Sequence, residues 1–94
     1  MVLDEFITLY QNRPNPFNPL TIISFDLPQA SRVNLEVYNI LGQKVSGLVD
    51  DYLDAGHYDI EWDASRHSGL SSGVYFYMIR AGDYTESRKM MLLK

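Results

Sequence analysis

Apolar and polar side chains alternate one by one along much of this sequence, and that period of two restricts the fold more than any other feature. Ile23, Phe25 and Leu27, for example, alternate with polar residues. Successive side chains of a β-strand point to opposite faces, so the alternation predicts a strand with one dry face and one wet face. Strands of that kind are typical of antiparallel sheets.

The same alternation recurs along the chain and predicts an all-β sandwich. It appears in residues 33–39 and 58–63, and two further predicted strands cover residues 74–81 and 84–93. Breaks that contain glycine or proline separate these stretches, and the short spacing between them is typical of a sandwich. The side chains predicted to face inward are Ile23, Phe25, Leu27, Val33, Leu35, Val37, Tyr58, Ile60, Trp62, Tyr75, Tyr77 and Ile79.

Residues 45–53 do not follow the alternation. Their apolar side chains are spaced at i, i+3, i+4 and i+7, which is a helical spacing. A helix here would contain Gly47, at a cost of about 1 kcal/mol relative to alanine, and would be too short to be stable alone. We interpret the segment as a strand with an irregularity, and the helix stays the open alternative.

A stiff segment precedes the first alternating stretch. It reads Arg13-Pro14-Asn15-Pro16-Phe17-Asn18-Pro19, and we call it the proline segment. Proline fixes φ and has no backbone N–H, and a residue that precedes proline is pushed towards extended geometry. The segment is therefore predicted to be extended and to lie outside any central strand. It holds Phe17 at a defined place, which would serve packing, recognition or both.

Composition and charge exclude several classes of function. The chain has 94 residues, enough for one domain, and it has no cysteine, which rules out disulfides and thiolate chemistry. The net charge is −4, and no broad basic face is available to neutralise phosphates, so nucleic acid is not an expected partner. No apolar run approaches the length needed to span a bilayer, so membrane insertion is not expected either.

No motif for catalysis or for cofactor or metal binding stands out. Asp63, Ser65 and His67 are triad residue types, but a spacing of two residues supplies no triad geometry, and a polar loop is the better interpretation. The acidic residues around His57 have no spacing specific to a metal site. We therefore expect no catalytic residues, no cofactor and no metal.

Two apolar stretches each allow two interpretations. Residues 74–79 are apolar on both faces, which is typical of a central strand with its second face under a loop or the proline segment. Alternatively, Tyr75, Tyr77 or Trp62 would form an aromatic strip for glycans. Residues 89–94 form an apolar stretch between two lysines. They would be a final strand whose charged ends discourage edge pairing, or a C-terminal tag displayed for a receptor.

Together these motifs resemble a known family. They are LYQNRPNPFNP from residue 9, an alternating strand that ends in Leu27-Pro28, VNLEVYNILGQKV from residue 33, Ala55-Gly56, Trp62-Asp63, SGVYFY from residue 72, and KMMLLK from residue 89. In this order they resemble the type A C-terminal sorting domain of type IX secretion. The resemblance covers residues 9–94 without a break.

The resemblance implies an immunoglobulin-like antiparallel β-sandwich of about seven strands in residues 9–94, with residues 1–8 as the junction to an upstream cargo. It implies a non-catalytic signal that directs the cargo across the outer membrane. The outer-membrane type IX translocon would recognise it and a sortase-like peptidase would remove it. The cargo would pass through the periplasm to the outer membrane, the cell surface or the medium. The candidate recognition residues are Pro14, Asn15, Pro16, Phe17, Asn18, Pro19, Gly73, Tyr75, Lys89 and Lys94.

Two other functions stay open at the level of sequence. One is a structural or assembly module, similar to the immunoglobulin-like domains of flagellar hook-capping proteins and adhesins. The other is a carbohydrate-binding module that uses the aromatic strip.

Overall fold

The computed structural model describes residues 7–94, which form seven β-strands and one short 3-10 helix and contain no α-helix. The 3-10 helix spans Ala64–Arg66. The strands are β1 (Thr8–Leu9), β2 (Leu20–Leu27), β3 (Ser31–Tyr38), β4 (Lys44–Leu53), β5 (Gly56–Asp63), β6 (Gly73–Ala81) and β7 (Tyr84–Leu92).

The strands form two antiparallel sheets, with the orders β1-β2-β5 and β4-β3-β6-β7. The core lies between them, which confirms the predicted immunoglobulin-like sandwich. Ten of the twelve side chains predicted to face inward are buried, while Tyr58 and Ile60 are half-buried and pack against the core. The core also contains buried residues that the alternation did not single out, namely Ile7, Leu9, Phe17, Ala64, Ala81, Met90 and Leu92.

Strand β4 contains the irregularity that its sequence suggests. Leu35 of β3 pairs with Val49, but the next residue, Glu36, pairs with Gly47, so Leu48 is an extra residue. Such a β-bulge changes the face on which the following side chains lie. The bulge lets the neighbouring residues Leu48 and Val49 both pack against the core, and the interpretation as an irregular strand is confirmed.

The connections between strands gather at two ends of the sandwich. At the first, which we call the proximal end, Thr8 pairs with Asp26 where the chain enters the sandwich, and the connections β2–β3, β4–β5 and β6–β7 lie there. The distal end carries the proline segment, the β3–β4 loop, the β5–β6 connection and the last residues of the chain. Ile7 is buried and Thr8 lies in β1, whereas the rest of the expected junction, residues 1–6, lies outside the described residues.

A polar network on the outer face of the smaller sheet ties β2 to β5. The ring nitrogens Nδ1 and Nε2 of His57 lie 2.5 Å from Asp26 Oδ1 and 2.9 Å from Asp59 Oδ1. The Tyr10 hydroxyl donates to Asp26, and the Ser24 hydroxyl donates to Asp59. Hydrogen bonds to Asp26 and Asp59 raise the pKa of His57. Hydrogen bonds from Tyr10 and His57 lower the pKa of Asp26, and the bond from Ser24 lowers that of Asp59.

These pKa shifts predict that the network stabilises the fold most at mildly acidic pH. Because the pKa of His57 is raised on folding, its contribution is complete below the unfolded pKa of about 6.5 and is lost as the pH rises through the folded pKa. The lowered pKa values of Asp26 and Asp59 have the opposite sign, so their contribution is present above about pH 4 and is lost on acidification.

We therefore expect the thermal unfolding midpoint of the wild type to fall more steeply between pH 6 and pH 8 than that of His57→Gln. The measurement is a series of melting curves for both proteins across this range. If the two proteins show the same pH dependence, His57 does not stabilise the fold through its charge.

Candidate functional site

The proline segment pairs with the last strand of the larger sheet. The backbone N–H of Phe17 donates to the carbonyl oxygen of Met91 at 3.0 Å, and the N–H of Leu93 donates to the carbonyl oxygen of Phe17 at 2.9 Å. These two bonds form a parallel bridge between Phe17 and Leu92. A segment that connects β1 to β2 in one sheet thus also contacts the edge of the other sheet.

Two side chains extend this contact along the edge of β7. Asn15 Oδ1 accepts a hydrogen bond from the N–H of Met91 at 2.9 Å, and Gln11 Nε2 donates to the carbonyl oxygen of Lys89 at 2.8 Å. An exposed edge strand would present these backbone groups to other chains. Residues 11–17 occupy the edge of β7 themselves. Protection of this edge from pairing with other chains therefore does not depend on Lys89 and Lys94, the charged ends predicted to discourage it.

A buried asparagine fixes the start of the proline segment. Asn12 is buried, and its Nδ2 donates to the carbonyl oxygen of Pro14 at 3.1 Å and to Thr21 Oγ1 at 3.0 Å. The Thr21 hydroxyl in turn donates to the same Pro14 carbonyl at 3.0 Å. Because proline has no N–H, the segment is fixed mainly through its carbonyl groups. Neither Asn12 nor Thr21 was singled out from the sequence, although the position of Asn12, directly before the proline segment, was an available signal.

Tyr77, in the central strand β6, holds the chain just before the proline segment. Its hydroxyl accepts from the N–H of Asn12 at 2.8 Å and donates to the carbonyl oxygen of Tyr10 at 2.8 Å. The side chain is fully buried, and that burial raises the pKa of Tyr77 to about 12. Arg88 Nε adds a bond to the carbonyl oxygen of Leu9 at 2.7 Å. The larger sheet therefore holds the N-terminal segment through side chains as well as through its edge.

Phe17 fills the space between the sheets at the distal end. It is 2% exposed, and its ring centroid lies 5.7 Å from that of Trp62. The Trp62 ring contacts Tyr75 edge-on at 6.4 Å between centroids. The interpretation of Phe17 as a packing residue is confirmed, and its backbone also makes the bridge to β7.

The structure brings all ten candidate recognition residues to the distal end, but it exposes only some of them. Phe17 and Tyr75 are buried, so their side chains support the fold there. Gly73 lies opposite Leu92, and the N–H of Lys94 donates to Ser72 Oγ at 2.7 Å. The exposed candidates are Pro14, Asn15, Pro16, Asn18, Lys89 and Lys94, while Pro19 and Gly73 are half-buried.

The aromatic strip for glycans is not present. Tyr75, Tyr77 and Trp62 are all buried in the core, so none of them can stack on a sugar, and core packing is the correct one of the two interpretations. The proline segment does not cover the outer face of β6 either, because it lies at the edge of β7. Phe76 remains partly exposed on that face, beside the β3–β4 loop.

The residues of catalytic type form a turn. Asp63 Oδ1 accepts hydrogen bonds from the N–H and the hydroxyl of Ser65, at 2.9 and 2.6 Å, and so caps the 3-10 helix. His67 Nε2 accepts from Trp62 Nε1 at 3.3 Å. In residues 7–94 no group of three or more potential ligands could hold a metal ion. The described part of the chain also has no helix of the length and hydropathy that a membrane span requires.

The protein is thus a β-sandwich whose N-terminal segment, residues 11–17, is hydrogen-bonded to the edge of its last strand, β7. Residues 12–93 match the protein family described as "Secretion system C-terminal sorting domain". The chain belongs to this family, the type IX secretion sorting domains that its motifs resemble. A search among curated protein sequences gave no significant match.

The fold recurs in other solved structures, two of which are from bacterial proteins. The dimeric latent form of PorU from Porphyromonas gingivalis superposes with a TM-score of 0.68 at 16% identity, over 93% of this chain and 9% of that protein. The alkylpurine DNA glycosylase AlkC of Pseudomonas fluorescens, bound to DNA containing an abasic site analog, gives a TM-score of 0.56 at 17% identity, over 94% of this chain and 30% of that one. At these identities the similarity shows the fold alone.

The packing of Phe17 generates a stability prediction. Phe17→Ala should lower the free energy of unfolding by about 3–5 kcal/mol, because it leaves a cavity between the sheets. Phe76→Ala removes the same side chain from a partly exposed position and should cost much less. The free energies of unfolding of the two variants and the wild type are measured by urea denaturation. Equal losses would show that Phe17 does not act as a core residue.

Proposed function

We propose that this domain is a non-catalytic address label that directs an upstream cargo across the outer membrane by type IX secretion. The outer-membrane translocon recognises the folded domain, and a sortase-like peptidase then removes it from the cargo. The cargo passes through the periplasm and ends at the outer membrane, at the cell surface or in the medium. Membership in the sorting-domain family supports this proposal.

The observation that carries the proposal is the assembly of two distant sequence motifs into one surface. The proline segment and the last residues of the chain are separated by most of the sequence, yet Phe17 is bonded to Met91 and Leu93. Their exposed parts lie side by side only when the sandwich is folded. A receptor that binds both motifs would therefore select folded domains.

The charges at the distal end suit an acidic receptor. Lys89 and Lys94 are exposed, and neither forms an ion pair within residues 7–94. The segments 13–19, 39–43, 64–72 and 91–94, which lie at this end, contain no aspartate or glutamate. Unpaired cations on an otherwise acidic domain would favour a receptor surface rich in carboxylates.

The two ends of the sandwich separate the cargo from the candidate recognition residues. The chain enters at the proximal end, where Thr8 pairs with Asp26. A β-strand of eight residues is about 26 Å long, which would keep the cargo away from a receptor at the distal end. We propose that residues 9–94 are the sorting domain and that the peptidase cuts in the junction upstream of Ile7, since Ile7 and Thr8 at the end of the junction already belong to the sandwich.

Deletion of residues 89–94 should abolish export of a fused reporter in a type IX-competent host. The deletion removes Met90 and Leu92 from the core as well as both lysines, so it tests folding and recognition together. Reversing Lys89 and Lys94 to glutamate separates the two effects, because exposed charges contribute little to stability. We expect the reversed variant to fold normally and its reporter to remain in the periplasm.

Arg32→Glu is the control, since it reverses an exposed charge in β3 near the proximal end and should leave export unchanged. If the lysine variant exports like the wild type, direct recognition of the two lysines is wrong. If the deletion variant also exports normally, the sorting function itself fails for this chain.

A further inference from the structure

Exposed apolar side chains are concentrated at the distal end. Eight large apolar or aromatic side chains are exposed in residues 7–94, and two of them, Tyr10 and Tyr52, lie towards the proximal end. Contiguous exposed apolar surface marks interaction sites more often than scattered single residues do. The other six lie at or near the distal end and are Leu20, Ile40, Leu41, Phe76, Met91 and Leu93.

The β3–β4 loop displays the two most exposed of these side chains in a fixed conformation. Ile40 is 69% exposed and Leu41 is 77% exposed, so neither contributes much to the core. Asn39 Oδ1 accepts from the N–H groups of Leu41 and Gln43, at 2.9 and 3.0 Å, and Asn39 Nδ2 donates to Gln43 Oε1 at 2.9 Å. Gly42 closes the turn with a positive φ of 79°. A rigid loop of this kind loses little conformational entropy on binding.

A groove lies on each side of this loop. One, of about 300 Å³, lies on the outer face of the larger sheet and includes Ile40, Phe76 and Met78 in its lining. The other, of about 320 Å³, runs between the loop and the start of β6 and includes Leu41 and Val74. At the core of a protein–protein interface, side chains of the two partners pack between one another. A projecting loop between two concave grooves has the shape for such interdigitation.

The carboxylates nearest to this surface are neutralised. Glu36 Oε2 lies 2.9 Å from Lys44 Nζ, and Glu36 Oε1 lies 3.5 Å from a nitrogen of Arg80. Asp63 lies 3.6 Å from Arg66. Lys89 lies opposite Phe76 in the ladder between β6 and β7, beside the grooves. Its ammonium group forms no ion pair within residues 7–94. The surface is therefore apolar at its centre and basic at its rim.

We propose that Ile40 and Leu41 anchor a docking surface for a protein component of the secretion machinery. The partner presents an apolar pocket rimmed by carboxylates, which receives the loop, and its own apolar side chains enter the two grooves. This inference rests on the proposed sorting function, because that function supplies the partner. A protein fits better than a lipid surface, since the grooves are concave and the basic rim is small.

The test compares Leu41→Glu with Tyr52→Glu, which introduces the same charge at an exposed position near the proximal end. Both variants are fused behind the same reporter in a type IX-competent host, and the purified domains are unfolded in urea. We expect both to keep the wild-type unfolding midpoint. Leu41→Glu should lower the export rate about tenfold or more, because it places a charge in an apolar pocket and among carboxylates, and Tyr52→Glu should export like the wild type.

Equal export by Leu41→Glu and the wild type would overturn the docking surface while the sorting function stands. A reporter that is not exported even with the wild-type domain would overturn the sorting function and the inference with it. Should Leu41→Glu unfold, Leu41→Gln takes its place in the same comparison.

Binding of the purified domain to vesicles of phosphatidylethanolamine and phosphatidylglycerol is the second test. Binding to them that Leu41→Glu abolishes would identify a membrane as the occupant and refute the protein partner.

Discussion

The two hydrogen bonds of the Tyr77 hydroxyl are the constraint on which the rest of this structure depends. They hold the backbone of Tyr10 and Asn12 against the central strand of the larger sheet. The prolines that follow cannot supply the N–H groups of a regular ladder. Side chains must therefore fix this part of the chain. A buried polar group without a partner costs about 1–3 kcal/mol, against a total stability of about 5–15 kcal/mol for a domain.

This fastening links the fold to the proposed function. With the N-terminal segment in place, Phe17 closes the core beside Trp62, and the edge of β7 is occupied as far as Leu93. The edge hydrogen bonds of β7 are then made within the domain. Only selected side chains of the proline segment and the C-terminal residues face outward. The proposed signal is thus a property of the folded domain, displayed at the end opposite to the one where Thr8 pairs with Asp26.

The fold could be predicted from the sequence to the extent that its physics is local. Alternation defined β2 and β3 because each has one apolar face, and the bulge in β4 left a recognisable irregular spacing. The fastening could not be predicted, because Asn12 lies 65 positions from its partner Tyr77 and Gln11 lies 78 from Lys89. Residues 74–79 are apolar on both faces, so the alternation left an exposed aromatic strip open as an alternative, although the inward positions of Tyr75, Tyr77 and Ile79 were predicted correctly. The site candidates came from the resemblance to a family, and the structure adds which of them are exposed.

Native-state hydrogen exchange tests the central claim, that the N-terminal segment is fastened to the larger sheet as part of one cooperative unit. The amides to follow are those of Asn12, Phe17, Met91 and Leu93, whose hydrogen bonds make this contact. We expect them to exchange only through global unfolding, with the same free energy as the central amides of β3 and β6. Exchange of these four amides well before the core, at the rate of amides that make no hydrogen bond, would contradict the account.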